Sequence, residues 1–249
     1  MLTSVNPISF EDFLIKSRRA NNNEELFSLL TDTLNYHGYD KVIFSVTRDG
    51  DLPEDKNGLG VFHNYPLDWK KYYDERSYAD IDPVLRCAAT YDGPFRWRDL
   101  QKKLPLTRKQ NIFFKEGEDA GLRNGVGVPI RGNRGQLSGI AMASSNQKDA
   151  CNENLDLLNA YCQQFYSVFK SINRFESNNN SDALITLSNK EKEVLKYCYK
   201  CLSSDEIAEK LCISNNTVNT HLKRINIKMD TTNRYAAVIK AILLGIINP

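Results

Sequence analysis

Residues 187–229 read LSNKEKEVLKYCYKCLSSDEIAEKLCISNNTVNTHLKRINIKM, and their spacing predicts three short helices with sharp starts. Ser188 with Glu191 forms one capping box and Ser203 with Glu206 a second. In each, the serine oxygen accepts an otherwise unpaired first-turn N–H and the carboxylate answers the cap's own N–H. Ser214 opens a third helix, with Thr217 at the capping-box position. Apolar Ile207, Ala208 and Leu211 line one helix, and Val218, Leu222 and Ile225 the next. Only Cys212-Ile213-Ser214 separates them, a turn tight enough for a helix-turn-helix.

If Val218, Leu222 and Ile225 point inward, Asn216, Asn219, Thr220 and Lys223 point outward. Asn can bond an adenine edge at two points, and Lys can reach guanine acceptors in the major groove. Arg224 and Lys228 flank that stripe and suit phosphates. Residues 184–249 hold ten Lys and Arg against six Asp and Glu, net +4, whereas the preceding residues are net −2. A basic module joined to a mildly acidic one fits DNA binding. The run KEKEVLKY…SSDEIAEKLCISNNTVNTHLKRINIKMDTTNR resembles the output domain of LuxR-type transcription regulators. The resemblance rests on Glu191, Leu195, Glu206-Ile207-Ala208, Thr217-Val218, His221, Ile225, Lys228-Met229 and Thr232-Asn233-Arg234. It implies double-stranded DNA as partner, contacted by Asn216, Thr217, Asn219, Thr220, Lys223, Arg224 and Lys228. Cys201 stands where the family usually has Gly, which predicts a longer or differently ended helix.

The 249 residues suit two domains, each large enough for a core. No run of eighteen apolar residues exists, so no membrane span is expected. MLTSVNPISFEDFLIKSRR lacks a basic start with an apolar core and cleavage site, which predicts a cytoplasmic protein. The six cysteines read as small buried hydrophobes rather than disulfides. Cys198 and Cys201 have CxxC spacing, but a zinc site needs a second pair of ligands and a redox site a βαβ setting. Core positions on a helix face account for both, with redox sensing as the alternative. No metal or cofactor is expected.

Helices are predicted over Phe10–Arg19 and Glu24–Tyr36, strands over Lys41–Thr47 and Leu59–His63, and a helix opened by Pro66. A turn or short helix follows at Asp82-Pro83, then a loop through Pro94-Phe95-Arg96-Trp97. Thr107–Ala120 reads as a helix stopped at Gly121. Strands Val126–Ile130 and Leu137–Ala143 flank a hairpin turn, Arg-Gly-Asn-Arg-Gly, and a long helix spans Glu153–Phe175. The fold expected is α+β. An α/β/α sandwich with an antiparallel sheet (1–175) is joined by an Asn-rich linker (176–183) to an all-α, four-helix helix-turn-helix domain (184–249).

Tyr65, Trp69 and Tyr73 recur every four residues, with Asp82 and Trp97 beyond. Periodicity alone reads these as an aromatic core stripe with Asp82 capping a turn. An apolar pocket with a few placed donors and acceptors is the sharper reading, since a carboxylate in such surroundings is costly unless bonded. Asn-Tyr65-Pro-x-x-Trp69-x-x-x-Tyr73, Ile81-Asp82-Pro83, Trp97 and Ala120-Gly121-Leu122-x-x-Gly125 are similar to the autoinducer-binding domain of the LuxR family. The resemblance implies an N-acyl-homoserine lactone as ligand. Trp69 would donate to the lactone carbonyl, Asp82 accept the amide N–H and Tyr65 donate to the acyl carbonyl. Tyr73 and Trp97 would form walls, and Gly125 would let the backbone approach. Ala141 completes the set where many relatives carry Ser or Thr, which leaves Tyr65 as the main donor to the acyl carbonyl.

A quorum-sensing regulator controlling promoters as a homodimer, with RNA polymerase as further partner, follows from both resemblances. One helix-turn-helix reads few base pairs, so two copies on a two-fold operator are expected. The stripe Leu155–Ile172 is expected to serve both the chain's own sheet and a partner. The last helix, Asn233–Leu244, offers Ala236, Ala237 and Ile239. The alternatives are a non-lactone sensor or a phosphorylated response regulator with the same output. The latter needs a strand-end phosphoacceptor Asp and a later Lys in order, which the chain lacks. Three histidines give no metal pair, and there is no nucleophile elbow or phosphate-cradling loop, so an enzyme is not expected.

Overall fold

A computed structural model describes residues 8–132, 135–146, 154–176 and 185–248, with side chains 174–176 excepted. Two compact units result, one holding the described residues up to 176 and the other those from 185. The first comprises α1 (Phe10–Ser17), α2 (Asn23–Tyr36), β1 (Lys41–Arg48), β2 (Gly58–His63), α3 (Leu67–Glu75), α4 (Pro83–Thr90), β3 (Phe95–Arg96), α5 (Trp97–Lys103), α6 (Arg108–Asp119), β4 (Arg123–Arg131), β5 (Leu137–Ser144) and α7 (Leu155–Glu176). The strands form one antiparallel sheet in the order β2-β1-β5-β4-β3.

Alternation along the strands gives this sheet two unlike faces. Val42, Phe44 and Val46 of β1, Val126, Val128 and Ile130 of β4, and Ile140 and Met142 of β5 are buried against α7. From α7 come Leu158, Cys162, Phe165 and Phe169, all fully buried, with Phe44 packed edge-on to the rings of Phe165 and Phe169 at 5.1 and 4.9 Å. Each such side chain contributes roughly 1.5–3 kcal/mol by leaving water. The opposite face carries Ile43, Ser45 and Thr47 beside Gly127, Gly139 and Ala141. In register, Ile43 faces Ala141, Ser45 faces Gly139, and Gly127 faces Ala141. Small residues here leave room beneath α3–α6.

Several expectations change. Pro66 is the N-cap of α3 rather than its first helical residue. The segment expected as a loop around Pro94–Trp97 forms β3 and the start of α5. The apolar stripe of α7 is consumed by its own sheet. Among the described side chains of α7, Asp156, Gln163, Ser167 and Ser171 are exposed. The hairpin turn at 133–134, Cys151, the helix start expected at Glu153 and the linker beyond residue 176 lie outside the described residues.

The second unit contains α8 (Asn189–Tyr199), α9 (Ser204–Leu211), α10 (Asn215–Met229) and α11 (Arg234–Leu243). Both predicted capping boxes form, and Ser214 Oγ accepts from Thr217 N. Val194, Leu195, Ile207, Val218, Ile225 and Met229 meet in its core. Cys201 does not lengthen α8. It adopts the left-handed conformation itself (φ 60°), while Leu202 N–H bonds Tyr197 C=O at 3.2 Å to close a Schellman-type cap. On α11, Ala237 is fully buried, and the exposed stripe is Tyr235, Ile239 and Leu243. A left-handed non-glycine residue carries a steric cost that glycine avoids. Cys201→Gly is therefore expected to stabilise this unit by roughly 0.5–1 kcal/mol, after allowance for glycine's greater chain entropy. Denaturant unfolding monitored by helical circular dichroism checks this; a loss of stability would contradict the cap assignment.

Candidate functional site

A cavity of about 380 Å³ lies in the first unit, beneath α3–α6. Its floor is the small-residue face of the sheet: Ile43, Ser45 and Thr47 from β1, with Leu137, Gly139 and Ala141 from β5. Tyr65, Trp69 and Tyr73 descend from the α3 segment, Val84 and Ala88 from α4, and Phe113, Phe114 and Gly117 from α6. Trp69 lies within 6.4 Å, ring to ring, of Tyr73 and within 6.0 Å of Phe113, so the aromatic residues also brace one another.

Asp82 is the polar centre. It caps α4, with Oδ1 accepting from Val84 N at 2.7 Å, and Oδ2 accepts from Tyr73 Oη at 2.9 Å. The residue is 8 % exposed. Burial pushes its carboxyl up to about 6, against the opposing bonds from Tyr73 and the N–H groups of Val84 and Leu85. Burial, and then the charge of Asp82, hold the Tyr65 and Tyr73 hydroxyls above the ordinary tyrosine value. Among the buried groups of the cavity lining without a hydrogen-bond partner in the described residues are Tyr65 Oη and Trp97 Nε1. An unpaired buried donor carries a desolvation cost of about 1–3 kcal/mol, which a polar group entering the cavity relieves.

The structure thus gathers Tyr65, Trp69, Tyr73, Asp82, Trp97 and Ala141 around one cavity. Two placements differ from expectation. Tyr73 is a hydrogen-bond donor to Asp82 as well as a wall. Gly125 makes room for Trp97 rather than for a bound molecule: a Cβ there would stand 2.1 Å from the Trp97 ring. Sequence reasoning missed Ile43, Ser45 and Thr47, although the period-2 pattern of KVIFSVT held the signal, and missed the α6 ceiling of Phe113, Phe114 and Gly117.

On α10, Asn216, Asn219, Thr220, Lys223, Arg224 and Lys228 are exposed. The side chains of Asn216, Lys223 and Arg224 make no hydrogen bond or ion pair among the described residues. Thr217 is half-buried and its hydroxyl pairs with Ser214 Oγ at 2.8 Å, so it serves the helix start. Asn219 sits in a polar chain, receiving a bond from Ser204 Oγ and donating to Asn215. Lys228 departs from its expected role. Its Nζ lies 2.8 and 3.0 Å from the oxygens of Glu191, a buried carboxylate that also closes the α8 capping box. Burial would raise the Glu191 carboxyl, but the bonds from Lys228 and Ser188 outweigh it and hold it below the ordinary value. Lys228 is thus a partner of Glu191 while its side chain stays exposed.

Residues 22–167 match the family model described as "Autoinducer binding domain", more than half of the chain, and residues 185–241 match "Bacterial regulatory proteins, luxR family". The chain belongs to the LuxR family of transcription regulators. It is 28% identical to the transcriptional activator protein VanR of Vibrio anguillarum, over 94% of this chain and 95% of that one. To the transcriptional activator LuxR of Aliivibrio fischeri it is 27% identical, over 96% and 94% of the two chains. The crystal structure of Escherichia coli SdiA has the same fold, with a TM-score of 0.64 at 22% identity, covering 96% of this chain and 98% of that one. The protein is thus an autoinducer-binding, DNA-binding transcription regulator and not an enzyme. Among the described residues no helix is long and apolar enough to cross a membrane.

The raised Asp82 carboxyl has a signed consequence for the ligand-free chain. Its folded value of about 6 exceeds the ordinary 3.8, so its contribution to stability is full below pH 4 and lost as pH rises through 6. Asp82→Asn removes this dependence and keeps an N-cap oxygen. Between pH 4 and 7.5 the stability difference should move in the variant's favour by on the order of 2–3 kcal/mol, read from denaturant unfolding at each pH. A pH-independent difference would show that Asp82 is not buried as described.

Proposed function

We propose that the protein binds an N-acyl-homoserine lactone in this cavity and controls promoters as a homodimer on a two-fold operator. One observation carries the ligand reading: the buried carboxylate of Asp82 and the unpaired buried hydroxyl of Tyr65 line a mainly apolar cavity together with the indoles of Trp69 and Trp97. An amide N–H, two carbonyls and an alkyl chain satisfy that set. In this assignment Asp82 accepts the amide N–H, Trp69 donates to the lactone carbonyl and Tyr65 to the acyl carbonyl. Tyr73 orients Asp82, and Trp97 walls the ring end over Gly125 while offering its own N–H. Ala141 brings no hydroxyl, so the polar head depends on Tyr65. A glycerol ester is the second reading, since its O–H can replace the amide N–H at Asp82; SdiA, of like fold, has been solved in complex with octanoyl-rac-glycerol.

Residues 1–175 are assigned to ligand binding, 176–183 to the linker and 184–249 to DNA. Asn216, Thr220 and Lys223 are the base readers, Asn219 is pre-oriented by Ser204 and Asn215, and Arg224 binds phosphate. The exposed α11 stripe Tyr235, Ile239 and Leu243 is the apolar surface for the second copy. RNA polymerase in the cytoplasm is the downstream partner.

In a reporter strain titrated with lactone, Asp82→Ala and Trp69→Phe should each raise the half-maximal concentration at unchanged protein level. A charge-assisted bond contributes roughly 1.5–3 kcal/mol, so the shift for Asp82→Ala should be about tenfold or more. Equal loss of protein at every concentration, with no shift, would return both residues to a purely structural role. A response to octanoyl glycerol and not to lactones would select the second reading. For DNA, Lys223→Ala should relax preference at one base pair per half-site and cost roughly 1–3 kcal/mol. Arg224→Ala should weaken all sequences alike and lower the salt slope by about one. Lys228→Ala should lower folding stability by stranding Glu191.

A further inference from the structure

One stretch of the cavity follows β1. Ile43, Ser45 and Thr47 line it in succession, so the floor runs about 13 Å along β1 at strand spacing. At the far end stand Thr47, Leu59 and Leu137. All three hang from one polar knot on the segment that joins β1 to β2. Thr47 precedes Asp49 by two residues, and Asp49 N–H donates to Asn57 Oδ1 at 3.0 Å, which draws together the two ends of this segment just before Leu59. Leu137 follows Gln136, whose amide donates to Asp51 Oδ2, and Gln136 C=O accepts from Gly132 N at 3.1 Å. Asp51 N–H in turn donates to Asp49 Oδ1 at 3.0 Å.

Helix α7 fastens this knot from the other side of the sheet. Lys170 Nζ lies 2.6 Å from Asp49 Oδ2 and 3.4 Å from Asp51 Oδ2, and Tyr166 Oη donates to Asp49 Oδ2 at 2.9 Å. The Asp49 side chain is fully buried and that of Lys170 only 17 % exposed. A buried ion pair adds little net stability over well-packed apolar residues. What it adds is direction, because each bond holds only at one distance and angle. Here the fixed geometry falls on three residues that line this end of the cavity, of which Thr47 and Leu59 are also exposed.

We infer that Lys170, through Asp49, Asp51 and Gln136, positions the Thr47–Leu59–Leu137 wall and so sets the acyl-chain length that the cavity accepts. This rests on the acyl-lactone reading above, and Lys170 acts as a positioning residue that touches no ligand. Loosening the knot lets the segment 49–57 retreat and lengthens the cavity, so preference should move toward longer chains. A purely structural knot would instead lower stability and leave the relative preference for chains unchanged.

The test is a thermal-shift titration of the purified full chain with N-octanoyl- and N-dodecanoyl-homoserine lactone, reading the ratio of their half-saturating concentrations. In Gln136→Ala, which removes a neutral partner and keeps the Asp49–Lys170 pair, the ratio should move at least threefold in favour of the dodecanoyl ligand. Lys170→Met should move it the same way, and Lys170→Arg should keep the wild-type ratio. If Lys170→Met does not fold, Gln136→Ala decides. An unchanged ratio in Gln136→Ala, or a move toward the octanoyl ligand, overturns the inference while the lactone reading stands. No stabilisation of the wild-type chain by either lactone overturns both.

Discussion

Everything in the first unit depends on one sheet having a sealed face and a hollow one. On the α7 face, Val42, Phe44, Val128, Ile140 and Met142 are buried in one cluster with Phe165 and Phe169. That face supplies the unit's main apolar burial. The opposite face is then released from that duty, and Gly139 and Ala141 turn the freedom into volume while Gly127 makes room for the Phe95 ring. Larger side chains at these registers would fill the cavity and give an ordinary two-layer core. The pleat, which sends alternate side chains of one strand to opposite sides, makes both outcomes available to the same five strands.

Into that hollow the chain places a carboxylate that also caps α4. Asp82 is raised to about 6 because burial penalises its charge, and Tyr73 with two backbone N–H groups only partly offsets the penalty. Tyr65 and Trp97 add unpaired donors to the cavity lining. Each is a local defect in the empty chain and a contact once a polar head enters. Ligand binding is thereby coupled to the stability of the unit by mass action, since whatever satisfies these groups favours the folded state. In the helix-turn-helix unit the buried Glu191 is answered by Ser188 and Lys228, while the side chains of Asn216, Lys223 and Arg224 lie exposed on α10.

What was legible in the sequence was local. Ser188, Ser203 and Ser214 announce their helices because a cap is decided within four residues, and the spacing of Tyr65, Trp69 and Tyr73 placed them together. The segment Phe95–Trp97 was not legible as β3 and α5. A two-residue strand has no alternation to read, and α5 begins at Trp97 with Arg96 as an N-cap that makes no side-chain cap bond. The role of Lys228 was hidden because its partner lies 37 residues earlier. Gly125 read as a backbone approach to the ligand, but its vacancy is filled by Trp97, a contact set only by the folded register of β4. Cys201 looked incompatible with a left-handed cap, yet the cap's two backbone bonds hold it there.

The chain has two tryptophans, Trp69 and Trp97, and both line the cavity. Intrinsic fluorescence therefore reports on the site alone. Titration of the purified full chain with N-octanoyl-homoserine lactone should change tryptophan emission saturably, with one equivalent bound per chain. Emission that stays flat across the titration, in a chain whose circular dichroism shows it folded, would contradict the account that this cavity is the lactone site.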